Sequence, residues 1–147
     1  MKYLIINGPN MNILDQREAI YDQISYAQLQ EHTGSKLKKL NIPAELEWFQ
    51  SNSESELIDK IQSVLKQPVD GLVTNLAGYS HTSVALRDAL ACIKVPKIEV
   101  HMSNVFQREP FRHNLLTAGA VDFIMKGFGK DVYYLAVQCL AAKRSSY

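Results

Sequence analysis

Short apolar runs, each followed by a stretch of helical periodicity, constrain this chain more than any other feature. The segments YLII (3–6), GLVTN (71–75), KIEV (97–100) and VDFIM (121–125) show little polar alternation. A strand with one wet face alternates apolar and polar residues, whereas a strand covered on both faces reads as a continuous apolar run. AELEWF (44–49) supplies a further strand, with Leu46 and Trp48 on one face. The intervening segments have a different period. YAQLQEHTGSKLKKL (26–40) places Leu29, Leu37 and Leu40 at helical spacing under a basic outer face. Gly34 within it costs about 1 kcal/mol relative to alanine and weakens the case for an unbroken helix. SESELIDKIQSVLKQ (53–67) carries Leu57, Ile61, Val64 and Leu65 as a buried stripe, Glu54 and Glu56 at the positive end, and Ser53 or Ser55 as the cap. HTSVALRDALACI (81–93) turns Val84, Leu86, Ala89, Leu90 and Ile93 inward, and KDVYYLAVQCLAAK (130–143) forms a closing helix before a charged tail. Pro96 stands at the start of its strand, where a missing N–H is tolerated.

The pattern is β-α repeated five times in 147 residues. It predicts one α/β domain over 1–147, a flavodoxin-like three-layer sandwich. Its five-stranded parallel sheet takes the order 2-1-3-4-5, with helices on both faces.

The net charge of +1 gives no field that would favour nucleic acid or a membrane surface. No apolar run is long enough to span a bilayer, and MKYLIINGPN is too short in its apolar part for a signal peptide. Cys92 and Cys139 lie in apolar helical contexts without ligand spacing. They are expected to be reduced core cysteines of a cytoplasmic protein.

Open parallel sheets bind ligands beyond the carboxyl ends of their strands. Asn7, Pro9, Asn10, Asn12, Arg17, Glu18 and Tyr21 follow the first strand, and Gln50, Ser51 and Asn52 the second. Asn75, Tyr79, Ser80, His81 and Thr82 follow the third, and His101, Ser103, Asn104, Arg108 and Arg112 the fourth. The opposite edge carries only NIP, QPVD and KVPK. Taken singly, each polar residue has an ordinary reading: asparagine forms turns, arginine covers surface, and a histidine after a strand can be structural. Their joint placement at one edge favours a site. No phosphate-binding glycine pattern, nucleophile elbow or metal-ligand spacing is present, so phosphate cradling is weakly supported and no metal is expected. Asparagine, arginine, histidine and tyrosine suit a small oxygen-rich anion and proton transfer.

LIINGPNMNIL, FQSNSESELIDKI, HTSVALRDAL and IEVHMSNVFQREPFRH together closely resemble the type II 3-dehydroquinate dehydratases, nearly end to end from Leu4 to Tyr134. The resemblance implies cofactor-free removal of water from 3-dehydroquinate, giving 3-dehydroshikimate, in the shikimate pathway or quinate breakdown. It also implies a homo-oligomer, a dodecamer built from trimers. Residue by residue, Tyr21 resembles the general base and Arg17 the arginine that keeps it ionised, with Arg108 adding to that field. A phenol has an ordinary pKa of about 10, and a nearby cation lowers such a value. Asn10 resembles the residue that stabilises the enolate, His101 the general acid, and Glu99 the group that orients its ring. Asn75, His81 and Arg112 resemble the residues that bind substrate hydroxyls, and the backbone around Met102 and Ser103 the carboxylate-binding turn. Asp88 resembles a helix residue that reaches a neighbouring subunit's site.

The sequence departs from the family in LDQREAIYD (14–22). Asp15 and Asp22 replace glycines, the proline after Glu18 is missing, and the Arg-to-Tyr spacing is one residue short. Glycine permits positive φ and proline fixes φ, so the segment is expected to close differently and to displace the phenol. Asp22 close to the phenol would oppose Arg17. Tyr26 is a second candidate base. Ser55 also stands where the family has glycine, and NLAGYSHTS replaces an Asn-Pro-Gly-Ala pattern while keeping the spacing of Asn75 and His81. If the altered segment fails, the alternative is a catalytically weakened relative that binds small polyhydroxy carboxylates.

Overall fold

The computed structural model describes residues 1–144; the end of the charged tail lies outside them. Five strands form one parallel sheet: β1 (Lys2–Asn7), β2 (Glu45–Gln50), β3 (Gly71–Asn75), β4 (Lys97–His101) and β5 (Phe123–Lys126). Their spatial order is β2-β1-β3-β4-β5, the predicted 2-1-3-4-5. The order reverses between β1 and β3, whose Asn7 and Asn75 stand side by side at the carboxyl edge.

The helices are α1 (Tyr26–Lys39), α2 (Glu54–Ser63), α3 (Val84–Ala91) and α4 (Val132–Arg144). Period-2 alternation divides the strand side chains between two cores. Tyr3, Ile5, Val73, Ile98 and Val100 pack with Leu29 and Leu37 of α1 and Val132, Tyr133, Ala136 and Val137 of α4. Leu4, Ile6 and Leu72 pack on the other face with Leu57 and Ile61 of α2 and Leu86, Ala89 and Leu90 of α3. Each fully buried leucine or isoleucine contributes about 1.5–3 kcal/mol.

α1 runs unbroken through Gly34, which faces open space. Its ends explain how it absorbs the glycine. Ser25 Oγ accepts from Gln28 N (3.1 Å) while Gln28 Oε1 accepts from Ser25 N (2.8 Å), a reciprocal cap. At the other end Asn41 takes φ 55 and Ile42 N donates back to Leu37 O (3.0 Å). Ser53, rather than Ser55, caps α2.

Several expectations are corrected at the surface. Leu40, Leu65 and Val84 are exposed. Leu40 is the C-terminal cap of α1, Leu65 lies beyond the last turn of α2, and Val84 opens α3, so none sits on the inward stripe. Cys92 and Cys139 are exposed, not in the core. Cys92 caps the end of α3, and Cys139 is on the outer side of α4 between buried Val137 and Leu140. β5 is an edge strand whose Phe123 and Ile124 remain exposed, so its apolar run does not signal two covered faces.

The β4–β5 crossover contains 3-10 turns at Val105–Gln107, Pro110–His113 and Thr117–Ala120, and no α-helix. Asn104 accepts from Phe106 N (3.2 Å), and Pro110, with no N–H to donate, opens the second turn. Among the described residues, no helix is long and apolar enough to cross a membrane.

Candidate active site

A cleft of about 150 Å³ opens at the carboxyl edge of the sheet, where β1, β3 and β4 end. It is smaller than sites for drug-sized ligands, which start near 300 Å³. Asn10, Arg17, Tyr21, Asn75, His81, His101, Met102, Ser103, Arg108 and Arg112 all line it. Three guanidinium groups and no carboxylate side chain face the cavity, which therefore favours an anion.

The floor begins at Asn7-Gly8-Pro9-Asn10. Gly8 N donates to Asn75 O (2.8 Å), and a Cβ on Gly8 would stand 2.4 Å from Leu76 O. Only glycine permits this approach between the ends of β1 and β3. Asn10 then turns left-handed, at φ 70, and its N–H donates to Asn52 Oδ1 (3.0 Å). Asparagine adopts that conformation more readily than most residues.

The segment after Asn10 folds as two 3-10 turns, Met11–Gln16 and Ala19–Tyr21. It brings Tyr21 into the cleft with only 7% of its surface exposed. Arg108 Nη1 donates to Tyr21 Oη. Arg17 Cζ lies 4.5 Å, and Arg108 Cζ 5.4 Å, from the centre of the same ring. Glu18 and Glu109 sit outside this group. Glu18 Oε1 is 3.9 Å from Arg108, and Glu109 Oε2 accepts from Arg112 Nε (2.7 Å). Each of these carboxyls is held below its usual range, by its own backbone N–H first and by the arginines after it.

The altered segment therefore does not displace the phenol from the cleft. Asp22 takes φ 62, and its Oδ2 accepts from Lys130 N (2.7 Å), so its carboxylate is engaged by the turn before α4. Tyr26 is not in the lining. Its hydroxyl accepts from Asn7 Nδ2 (3.2 Å), its ring packs edge-on against Trp48, and burial pushes its phenol up to about 12.

Across the sheet edge, β4 delivers Glu99 and His101, both on one side of the strand. His101 Nε2 donates to Glu99 Oε1 (2.7 Å), and Thr117 Oγ1 donates to Glu99 Oε2 (2.6 Å). The carboxylate can only accept, so Nε2 carries the proton and Nδ1 is the nitrogen left for a ligand. His81 stacks on His101 with ring centres 6.2 Å apart, and its Nδ1 donates to Asn114 O (2.9 Å). Burial holds the His81 imidazole below its ordinary value. The bond to Asn114 opposes this shift, and positive charge at His101 and Arg112 adds to it.

Asn75 is oriented from behind. Its Nδ2 donates to Tyr133 Oη (2.8 Å), and its Oδ1 accepts from Ala77 N (3.3 Å). Tyr133 Oη in turn donates to Asn7 Oδ1 (2.5 Å). Burial raises the Tyr133 phenol, so it stays protonated as a donor. Tyr133→Phe is expected to destabilise the fold by about 1–3 kcal/mol, because it removes the hydroxyl that bonds buried Asn7 Oδ1 and leaves Asn75 Nδ2 with only Met11 Sδ at 3.8 Å. Urea unfolding measures this, and an unchanged midpoint would overturn it.

Asp88 lies exposed on α3, outside the lining. His113, in the same loop as Arg108 and Arg112, is also exposed; it donates to Arg108 O (3.1 Å) and its ring packs against Phe106, with centres 5.6 Å apart. Sequence reasoning did not single out Tyr133, Thr117 or Asn114. Tyr133 reads as one more apolar position of α4, and a lone threonine or a carbonyl gives no pattern.

A family profile described as Dehydroquinase class II matches residues 1–141. The chain is 46% identical to a 3-dehydroquinate dehydratase of Campylobacter jejuni subsp. jejuni over 93% of this chain and 85% of that one. It is also 46% identical to one of Lachnoclostridium phytofermentans, over 95% and 96% of the two chains. The crystal structure of a type II dehydroquinase from Butyrivibrio crossotus superposes with a TM-score of 0.89 at 43% identity, covering 95% of this chain and 97% of the other.

Proposed function

The chain belongs to the class II dehydroquinase family, and from that premise we propose that it dehydrates 3-dehydroquinate to 3-dehydroshikimate through an enolate. The phenolate of Tyr21 takes the proton beside the ketone. Arg108, bonded to Tyr21 Oη, and Arg17, over the ring, place positive charge next to the oxygen that must be an anion to act. The carbon electrons move onto the ketone oxygen, and Asn10 stabilises that oxyanion directly or through water. His101 then protonates the leaving hydroxyl. The C–O bond breaks, water departs, and the enolate collapses to a ketone conjugated with the new double bond. Glu99, bonded to His101 Nε2, orients the ring and offsets the charge of the imidazolium. Asn75, His81 and Arg112 bind hydroxyls, and the backbone at Met102 and Ser103 binds the carboxylate. Every proton in this scheme moves through a side chain of the protein.

The observation that carries the reading is one phenol held by two guanidinium groups in the same cleft as a carboxylate-oriented imidazole. Positioned acid and base groups contribute about 10²–10⁴-fold each. The same reading makes the protein a dodecamer built from trimers and puts Asp88, exposed on α3, at a neighbour's site. Adding 3-dehydroquinate to the purified protein is expected to produce the ultraviolet absorbance of a conjugated enone. Folded protein that binds the compound without turnover would overturn the assignment and make it a binding protein.

A further inference from the structure

We propose that Asp22 is a positioning residue that docks the segment carrying Arg17 and Tyr21 onto the turn before α4, and so sets where the phenol stands. The inference rests on Tyr21 being the base, but its physical core is independent of that role.

Tyr21 precedes Asp22 directly. Asp22 closes the 3-10 turn Ala19–Tyr21 with φ 62 and ψ 9, its N–H donating to Ala19 O (3.0 Å). That backbone turns its side chain toward Gly129-Lys130, where Oδ2 accepts from Lys130 N (2.7 Å). The fit is close on the receiving side. A Cβ on Gly129 would stand 2.4 Å from Asp22 Oδ2, so the carboxylate fills the space that the glycine leaves.

The receiving turn is itself fixed to the scaffold. Gly129 N donates to Met102 O (2.9 Å), just beyond β4 and next to His101. Asp131 Oδ1 accepts from His32 Nε2 (2.6 Å) on α1. Val132, the next residue, is fully buried. One carboxylate thus ties the strand that carries the imidazole to the segment that carries the phenol. The two features that make this segment unusual, its missing residue and its aspartate in a left-handed position, are then related. A shorter connection with fewer glycines is held in place by a side-chain contact.

Three variants separate backbone, charge and tether. Asp22→Gly keeps the left-handed backbone and removes the carboxylate. Asp22→Asn keeps an acceptor oxygen and tolerates the same φ without the charge. Gly129→Ala attacks the contact from the other side. Turnover of 3-dehydroquinate and hydrogen exchange of residues 17–24 are measured for each. Displacing a reacting group by about 1 Å costs about 10²-fold, so Asp22→Gly and Gly129→Ala are expected to lower kcat by about 10–100-fold with a much smaller change in KM. Amides of 17–24 should exchange faster while those of β1 do not. Asp22→Asn should restore most of kcat and the slow exchange.

Unchanged exchange and kcat in Asp22→Gly would overturn the proposal. Equal losses in Asn and Gly would assign the effect to charge and overturn it too. The exchange measurement decides the docking even if Tyr21→Phe retains activity, so failure of the catalytic reading is seen separately.

Discussion

Tyr21→Phe is expected to lower kcat for 3-dehydroquinate by about 10²–10⁴-fold, the ordinary contribution of a positioned base, while the dissociation constant stays within a few-fold. The substitution removes one oxygen and keeps the ring. That ring is almost fully buried between Arg17 and Arg108, and a phenyl group retains the packing and the cation–π contacts. Arg108 loses Tyr21 Oη as an acceptor, but Glu18 and Glu109 remain within 3.9 and 3.8 Å of its guanidinium. The cleft should therefore persist, without the phenolate charge but with Arg17, Arg108 and Arg112 still facing the substrate. Steady-state kinetics and calorimetric titration separate the two effects. A parallel loss of affinity and kcat would mean that the hydroxyl holds the ground-state complex. Full turnover would remove Tyr21 as the base. Tyr26 is not expected to replace it, because its half-buried hydroxyl is engaged by Asn7 and its phenol is harder to ionise than usual.

The sheet was legible because burial on two faces leaves a direct mark, an apolar run without alternation, in β1, β3 and β4. The rule weakened at the edge, where β5 has the same composition but stands half open. Residues at helix ends were misplaced for a related reason. Periodicity gives the inward angle of a side chain but not where the last packed turn stops, so Leu40, Leu65 and Val84 read as core while being exposed. The rim of the cleft was legible because the fold rule assigns function to one edge, and the polar residues gather there. The parts behind the rim were not. Tyr133 and Thr117 act through pairings 58 and 18 residues away in sequence, to Asn75 and Glu99. In the altered segment Asp22, expected as a glycine replacement that hinders closure and as a charge beside the phenol, instead keeps the left-handed φ and accepts from Lys130 N. The residue that receives its carboxylate, Lys130, lies 108 residues away in sequence, and no local pattern announces that pairing.

Glu99→Gln is expected to lower kcat by about 10²–10⁴-fold with little change in KM, the upper end matching the loss known when a histidine's carboxylate partner becomes an amide elsewhere. Glu99 is 1% exposed, and both its oxygens are occupied, by His101 Nε2 and Thr117 Oγ1. Two acceptors in fixed positions force the imidazole to present Nδ1 to the cleft. In the proposed mechanism they also place a carboxylate behind a ring that must be positive when it gives up its proton. Glutamine fits the same volume but has one acceptor and one donor end. If its oxygen faces His101, the tautomer survives and the compensating charge is gone. If its NH₂ faces His101, Nε2 must become the acceptor and the proton moves to Nδ1. Either arrangement impairs acid catalysis without touching the groups that bind substrate. Nitrogen-15 NMR of the ring at alkaline pH separates them, since wild type should carry its proton on Nε2. The expected pattern is a lost kcat, a retained KM and an intact melting transition. Wild-type kcat in Glu99→Gln would mean that the proton reaching the leaving hydroxyl does not come from His101.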